Sequence, residues 1–364
     1  MRAQRLLHIH LPSQGPTLYP PYTIASQLQE HLRRRQLDFK DANANHQTPP
    51  GPHPPPPTVV SFTPLPTYTL GRRQTTPLSP AELARLQAPL FHHGQHRLPV
   101  TVLPSPRGGL TTYHGPGQIV LWPVMDLRSR HHKQFTVRCY SRLLETTTIA
   151  TLAKLTTTRG LALIQGFTTD DPGVWVNDLT TFIDELPDKH RFALSGLNST
   201  SSLPPQGPAK IAALGVHLRR HISALGTAIN VDMPGPELRD EQKSPWARFV
   251  PCGLEGKIVT SVQRELRLRT FMLPTFVPHR KQFFAHINQS LQKATEKLVA
   301  ERWVDELSGT LGCDGVDRMS PQDVAELVTK IYEPSEGQNL ELERKYLEWL
   351  QGMYLQTAGE KTRA

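Results

Sequence analysis

Apolar and polar positions along this chain follow two different periods, and together they predict strands interleaved with helices. Leu6 to Leu11 (LLHIHL) alternates as a strand does. Over 21–38 the period lengthens. Ile24, Leu28 and Leu32 recur every four residues, which predicts an amphipathic helix. Arg33-Arg34-Arg35 closes it as a solvated end of the sign that the helix dipole favours. Strand character returns over 58–70, ending in the turn Gly71-Arg72-Arg73, and again over 98–103 and 119–124. Phe135 to Leu155 reads as a helix with Val137, Tyr140, Leu144 and Leu152 on one side, and Cys139 within it as packing or surface. Residues 174–176, 210–217, 227–233 and 258–262 read as further strands. From His279 the chain turns helical through Phe283, Ile287, Leu291 and Leu298, and the charged tail carries Tyr346, Trp349 and Leu350. This alternation predicts an α/β or α+β catalytic domain over 1–300 with a helical extension over 301–364.

Two stretches break the pattern. Residues 41–57 (DANANHQTPPGPHPPPP) and about 179–208, rich in Ser, Pro and Asn, read as inserts that do not pack. They hold part of an excess of proline, 34 residues against 24 glycines. With 364 residues at 37% hydrophobic the chain can bury a sizeable core. Lys and Arg number 41 against 32 Asp and Glu, a net +9 that favours acidic partners: nucleic acid, an anionic membrane surface or an acidic carrier protein. The positive residues are dispersed among acidic ones, which weighs against nucleic acid. Cys139, Cys252 and Cys313 provide neither a disulfide framework nor a CxxC site, so they read as thiols of a reducing compartment. No apolar run has the length to span a bilayer. A secreted mini-protein, a zinc finger and an integral membrane protein are excluded. Arg2 and Arg5 precede any acidic residue before Glu30, a start compatible with a mitochondrial presequence, so residues 6–11 read as leader, first strand or both.

The chemistry concentrates in three segments. Arg107-Gly108-Gly109-Leu110-Thr111-Thr112-Tyr113-His114-Gly115-Pro116-Gly117-Gln118 carries four glycines, which let backbone N–H groups approach a ligand. A tight turn would explain the glycines but not Arg, Tyr and His beside them, so the segment reads as a ligand-binding loop ahead of a plain turn. Lys210 heads the apolar run Ile211-Ala212-Ala213-Leu214-Gly215-Val216. It is either a strand-start residue reaching solvent or a desolvated acid–base group. Small residues follow at Gly226-Thr227-Ala228, suited to lining a narrow pocket. The third segment, Val250-Pro251-Cys252-Gly253-Leu254, sets a thiol on constrained backbone, as buried filler or as a nucleophile activated by a nearby cation.

Together these segments resemble the lipoyl(octanoyl) transferase family, the octanoyl-acyl-carrier-protein:protein N-octanoyltransferases, and the insert-rich chain looks like a eukaryotic, fungal-type mitochondrial member. The matching runs are RGGLTTYHGPGQIVLWPVMDL at 107–127, GVWV at 173–176, KIAALGV at 210–216 and PCGLEGKIVTS at 251–261, with weaker agreement at TYTLGR, 67–72. The resemblance spans about residues 5–270 and implies a mixed sheet flanked by helices, like the catalytic domain of biotin and lipoate protein ligases. It implies that Cys252 forms an acyl-thioester intermediate and that Lys210 lowers its pKa and serves as acid or base. Arg107, Gly108, Gly109, Leu110, Thr111, Thr112, Tyr113 and His114 would form the substrate loop. Ala213, Leu214, Gly215, Gly226, Thr227 and Ala228 would line the acyl tunnel. The donor would be octanoyl-acyl carrier protein. The acceptors would be lysines on lipoyl domains of 2-oxoacid dehydrogenases and on the glycine cleavage H protein, in the mitochondrial matrix. No cofactor, metal, nucleic acid or membrane insertion is expected. The chain departs from the family at Leu225, where a histidine usually precedes the glycine.

A thioester is already activated, so amide formation needs no ATP. The tetrahedral oxyanion needs N–H donors, for which the 213–215 backbone is the candidate. An ATP-dependent lipoate or biotin ligase would need a glycine-rich adenylate loop, for which Gly71-Arg72-Arg73 is too sparse, and would leave Cys252 idle. A carrier-domain binding protein without activity stays open on the sequence.

Overall fold

The computed structural model describes residues 4–44, 54–92, 95–158, 161–162, 164–177, 207–235, 238–249, 258–272 and 295–361. In chain order these form strands β1 (Leu6–Leu11), β2 (Thr58–Phe62) and β3 (Thr67–Leu70), with helix α1 (Tyr22–Ala44) after β1. Helix α2 (Pro80–Gln87) precedes β4 (Leu90–His92), β5 (His96–Leu98), β6 (Thr101–Pro104), β7 (Thr112–His114) and β8 (Gln118–Val124). Helix α3 (Val137–Leu155) leads to β9 (Thr157–Thr158), β10 (Leu161–Ala162), β11 (Gly166–Phe167) and β12 (Gly173–Val176). Then come β13 (Ala209–Arg219), β14 (Ile222–Asn230), β15 (Ile258–Val259) and α4 (Val262–Met272). The chain closes with α5 (Glu296–Leu311), β16 (Val316–Arg318), α6 (Pro321–Ile331) and α7 (Gln338–Lys361).

A mixed sheet runs β11-β12-β13-β14-β8-β2-β1-β16, with β15 added beside β13. Its neighbours are antiparallel from β11 to β2 and parallel across β2, β1 and β16. Both faces are apolar, and the alternation within single strands says why. On β8, Ile119 and Leu121 point to the core under α3, α4 and α5, while Val120, Trp122 and Val124 point to the core under α1, α6 and α7. A second sheet, β6-β3-β7, stands beside the first. The loop 107–118 joins the two sheets, because β7 belongs to the small one and β8, four residues later, to the large one.

Several boundaries move for identifiable reasons. Helix α1 continues past the arginine run because Glu30 receives Arg33 at 2.7 Å and Arg34 at 3.0 Å on the helix surface. The expected insert at 41–57 is helical at 41–44 and packed at 54–57, where the Pro54, Pro55 and Pro56 carbonyls accept from Gln4 and Gln36; 45–53 lie outside the described residues. The strands expected at 210–217 and 227–233 are one hairpin, Ala209–Arg219 and Ile222–Asn230. Its two-residue turn sets Arg220 (φ 50°) and His221 (φ 68°) in the left-handed region, a turn that sequence usually marks with Asn-Gly. The strand expected over 258–262 stops at Val259, and α4 begins at Val262. Of the insert expected at about 179–208 all but 207–208 lies outside the described residues, as does the expected helical stretch from His279 to residue 294.

The C-terminal segment is woven into the same cores. The boundary expected at 300/301 falls inside α5, whose Trp303 is fully buried and donates from Nε1 to Thr148 Oγ1 at 2.9 Å. Strand β16 pairs in parallel with β1, Leu6 opposite Val316, so β1 is an interior strand. Buried Glu343 of α7 accepts from Thr23 of α1, from Tyr332 and from Ser335, which ties α7 to the first helix.

Candidate functional site

A cavity of about 350 Å³ opens where the two sheets meet, walled by the loop before β7, by β13 and by β14. Of the residues singled out from the sequence, Arg107, Gly108, Gly109, Thr112, His114, Lys210, Ala213, Leu214, Gly215, Gly226, Thr227 and Ala228 line it. Tyr113 does not. In strand β7 successive side chains face opposite ways, so Thr112 and His114 meet the cavity while Tyr113 packs against Tyr68 at 5.2 Å between ring centroids. Leu110 and Thr111 border a different cavity, shared with Arg85 and Phe249. Cys252 lies outside the described residues.

Lys210 is 7% exposed. Its Nζ donates to the Pro172 carbonyl at 3.0 Å and lies 4.7 Å from the centroid of the Trp175 ring. The backbone around it is held on both edges, by β12 with Trp175 opposite Lys210 and by β15 with Val259 opposite Lys210. Arg107 is equally buried; its Nη2 donates to the Thr69 carbonyl at 2.7 Å and to Thr69 Oγ1 at 3.0 Å. Its stem crosses β13 so closely that a Cβ at Gly215 would sit 2.9 Å from Arg107 Cδ. Gly226 is constrained by backbone, since a Cβ there would lie 2.3 Å from the Leu121 carbonyl oxygen of β8. Both glycines therefore keep the walls thin.

His114 is buried at the cavity wall, stacked on Tyr22 with ring centroids 5.6 Å apart and planes 24° apart. Burial, reinforced by the Arg107 charge, pushes its pKa down to about 4 although Gln118 hydrogen-bonds to it, so the ring is neutral near pH 7. Tyr22, Val120, Trp122 and Leu225 add an apolar wall beyond the residues expected to form the substrate loop and tunnel. The alternation on β8 carried that signal for Val120 and Trp122. Nothing local pointed to Tyr22, which arrives from the start of α1.

Leu225, the departure from the family pattern, sits at φ 60° inside β14. Strand alternation puts Ile229 in the α3-side core and Ala228 in the α1-side core, and from there would send Leu225 to the α3 side. The left-handed backbone turns it back to the α1 side beside Ala228, while its cross-strand partner Val216 packs the other way. A leucine in this region costs about 1–2 kcal/mol, offset by its burial against the cavity wall.

The cavity thus combines small residues and an apolar wall with two buried cations, Lys210 and Arg107, at its side. The model of the lipoyl protein ligase A/B catalytic domain matches residues 41–285, more than half of the chain. The chain belongs to that family. A mitochondrial octanoyltransferase of Saccharomyces cerevisiae is 28% identical over 58% of this chain and 54% of its own length. The mitochondrial octanoyl-acyl-carrier-protein:protein N-octanoyltransferase of Danio rerio is 32% identical over 55% of this chain and 64% of its own. The chain thus spans between half and two thirds of the length of these two relatives. An octanoyltransferase of Cellvibrio japonicus is 31% identical over 60% of this chain and 82% of its own length.

Proposed function

We propose that this protein transfers an octanoyl group from octanoyl-acyl carrier protein to a lysine of lipoyl domains, through a thioester on Cys252, in the mitochondrial matrix. The observation that carries the reading is the cavity that joins Lys210 to the apolar wall of β8 and β14 in a chain whose relatives bear octanoyltransferase names. In the first step Cys252 sulfur attacks the octanoyl carbonyl, the bond to the carrier thiol breaks, and Lys210 gives that thiolate a proton. In the second step the acceptor lysine amine attacks the enzyme thioester, Lys210 takes the proton that the amine loses, and Cys252 departs as the thiolate that began the cycle. Support for the pairing of these residues comes from β15, which follows Cys252 by a few residues and is bonded to β13 at Lys210. Basic balance suits acidic carrier domains as donor and acceptor, and the yeast and zebrafish relatives are named mitochondrial. The deciding assay is octanoyl transfer from carrier protein to an apo lipoyl domain without ATP. Transfer supports the reading, and absolute dependence on ATP sinks it.

The cavity wall makes a prediction about chain length. Leu225→Ala will open space beside Trp122 and Ala228, and the ratio of initial rates for decanoyl over octanoyl donors will rise about tenfold, in line with the contribution of a methylene or two in an apolar pocket. Rates measured with both donors check this. An unchanged ratio would mean that Leu225 does not bound the acyl chain.

A further inference from the structure

Behind the cavity, four buried groups form one continuous line across both sheets. His114 Nδ1 meets Gln118 Oε1 at 2.8 Å, Gln118 Nε2 donates to Asn230 Oδ1 at 2.9 Å, and Asn230 Nδ2 donates to the Thr260 carbonyl at 3.0 Å. None of the four residues is more than 7% exposed. The direction of the whole line is fixed from its far end. A backbone carbonyl only accepts, so the Asn230 atom facing Thr260 is the amide nitrogen and its oxygen faces Gln118. That oxygen also only accepts, so Gln118 presents its nitrogen to it, which lies 3.5 Å from the Tyr113 carbonyl as well. The Gln118 oxygen is left for His114, and it too only accepts. His114 therefore carries its proton on Nδ1.

We propose that Gln118 and Asn230 are positioning residues that lock His114 as the Nδ1–H tautomer and so present Nε2 to the cavity as an obligate hydrogen-bond acceptor. An octanoyl chain has no donor to offer it. The matching ligand chemistry is an N–H group: the amide of a pantetheine-like arm entering with the acyl thioester, or the amine of the acceptor lysine. The ring is neutral at working pH, and Tyr22 holds its plane, so the acceptor stays fixed while either substrate arrives. This assignment rests on the transferase reading for the identity of the ligand, whereas the tautomer itself does not.

Nitrogen-15 NMR of histidine-labelled protein tests the tautomer directly, with His114→Phe used to assign the signal. The expected spectrum has His114 protonated at Nδ1 and bare at Nε2, and an Nε2–H tautomer in the wild type overturns the proposal. Gln118→Leu is expected to release the tautomer and to slow the step that uses the acceptor about tenfold. Gln118→Glu still accepts from Nδ1 but gives up the donor to Asn230 Oδ1, so it is expected to keep the tautomer, to recover part of the rate that Gln118→Leu loses and to move the acid limb of the pH profile upward. Single-turnover acylation by octanoyl-pantetheine, followed separately from transfer to an apo lipoyl domain, shows which N–H is bound. Both steps unchanged in Gln118→Leu would also overturn the proposal. A wild type that transfers nothing but shows the Nδ1–H tautomer would instead defeat the transferase reading and leave the relay standing.

Discussion

Cys252→Ala will form no octanoyl adduct when mixed with octanoyl carrier protein, and its transfer rate will fall by on the order of 10³-fold or more, as expected when a nucleophile is removed from a group acting as a unit. Intact-mass measurement of the wild type after the first half-reaction will show one octanoyl group. Lys210→Met will keep the thiol but lose a group expected to supply roughly 10²–10⁴-fold through proton transfer. The Lys210→Met defect should appear in both half-reactions, because one proton is given in the first and one taken in the second. Lys210→Arg should not rescue it. A guanidinium does not exchange a proton near neutral pH, and it does not fit the 3.0 Å contact to the Pro172 carbonyl under the Trp175 ring. An adduct on Cys252→Ala would move the nucleophile elsewhere. A Lys210→Met enzyme as fast as wild type would reduce Lys210 to a structural cation.

The second large effect is acid lability. His8 is buried against Ser61, with Nε2 2.7 Å from Ser61 Oγ, and burial, with the charges of His10, Arg318 and Lys297 adding to it, pushes its pKa down to about 3. His114 is held at about 4 by the desolvation described above. Both lie below the 6.5 of an exposed imidazole. As pH falls below 6.5 the unfolded chain takes a proton on each ring that the native state refuses, so stability declines. The decline ends only as pH passes the folded values. By pH 4 each histidine costs roughly 3 kcal/mol, a large share of a typical total of about 5–15 kcal/mol. Urea unfolding at pH 7, 5.5 and 4.5 should give midpoints that fall steadily, and His8→Gln should flatten the slope. Equal midpoints at pH 7 and 4.5 would show that neither ring is held neutral.

The first strand, the first helix, the helix over 137–155 and both members of the long hairpin were readable because each rests on a local period. Strand β1 needs only LLHIHL, and α1 only Ile24, Leu28 and Leu32. The RGG-to-HGPGQ segment stood out because glycines crowded by Arg, Tyr and His are poor choices for a surface turn, whereas Lys210 could be read as a solvent-reaching strand start or as a desolvated group, and only its burial decides between them. What escaped was whatever depends on which way a strand faces. Tyr113 was grouped with the loop, yet one step in β7 separates it from His114 and sends it to another core. The turn at Arg220-His221 escaped because its left-handed residues are not the ones that sequence usually places there.

By itself the sequence determined that this chain alternates strands and helices, and which segments crowd glycine, Arg, His, Lys and Cys together. Tertiary structure decided how those segments combine. Gln118 and Asn230 are 112 positions apart, Lys154 and Glu306 152 apart, and Arg5 and Asp317 312 apart, and each pair touches. No local period encodes such contacts; they follow when the sheet and its helices close up, with β8 pairing with β14, β1 with β16, and α3 packing on α5. The same closure turned the expected helical appendage into α5, β16, α6 and α7, which cover both faces of the sheet and extend its edge past β1. Without that cover Leu6, Ile9 and Leu11 would face water, and the energy of burying them is available only when chain ends more than three hundred residues apart come together.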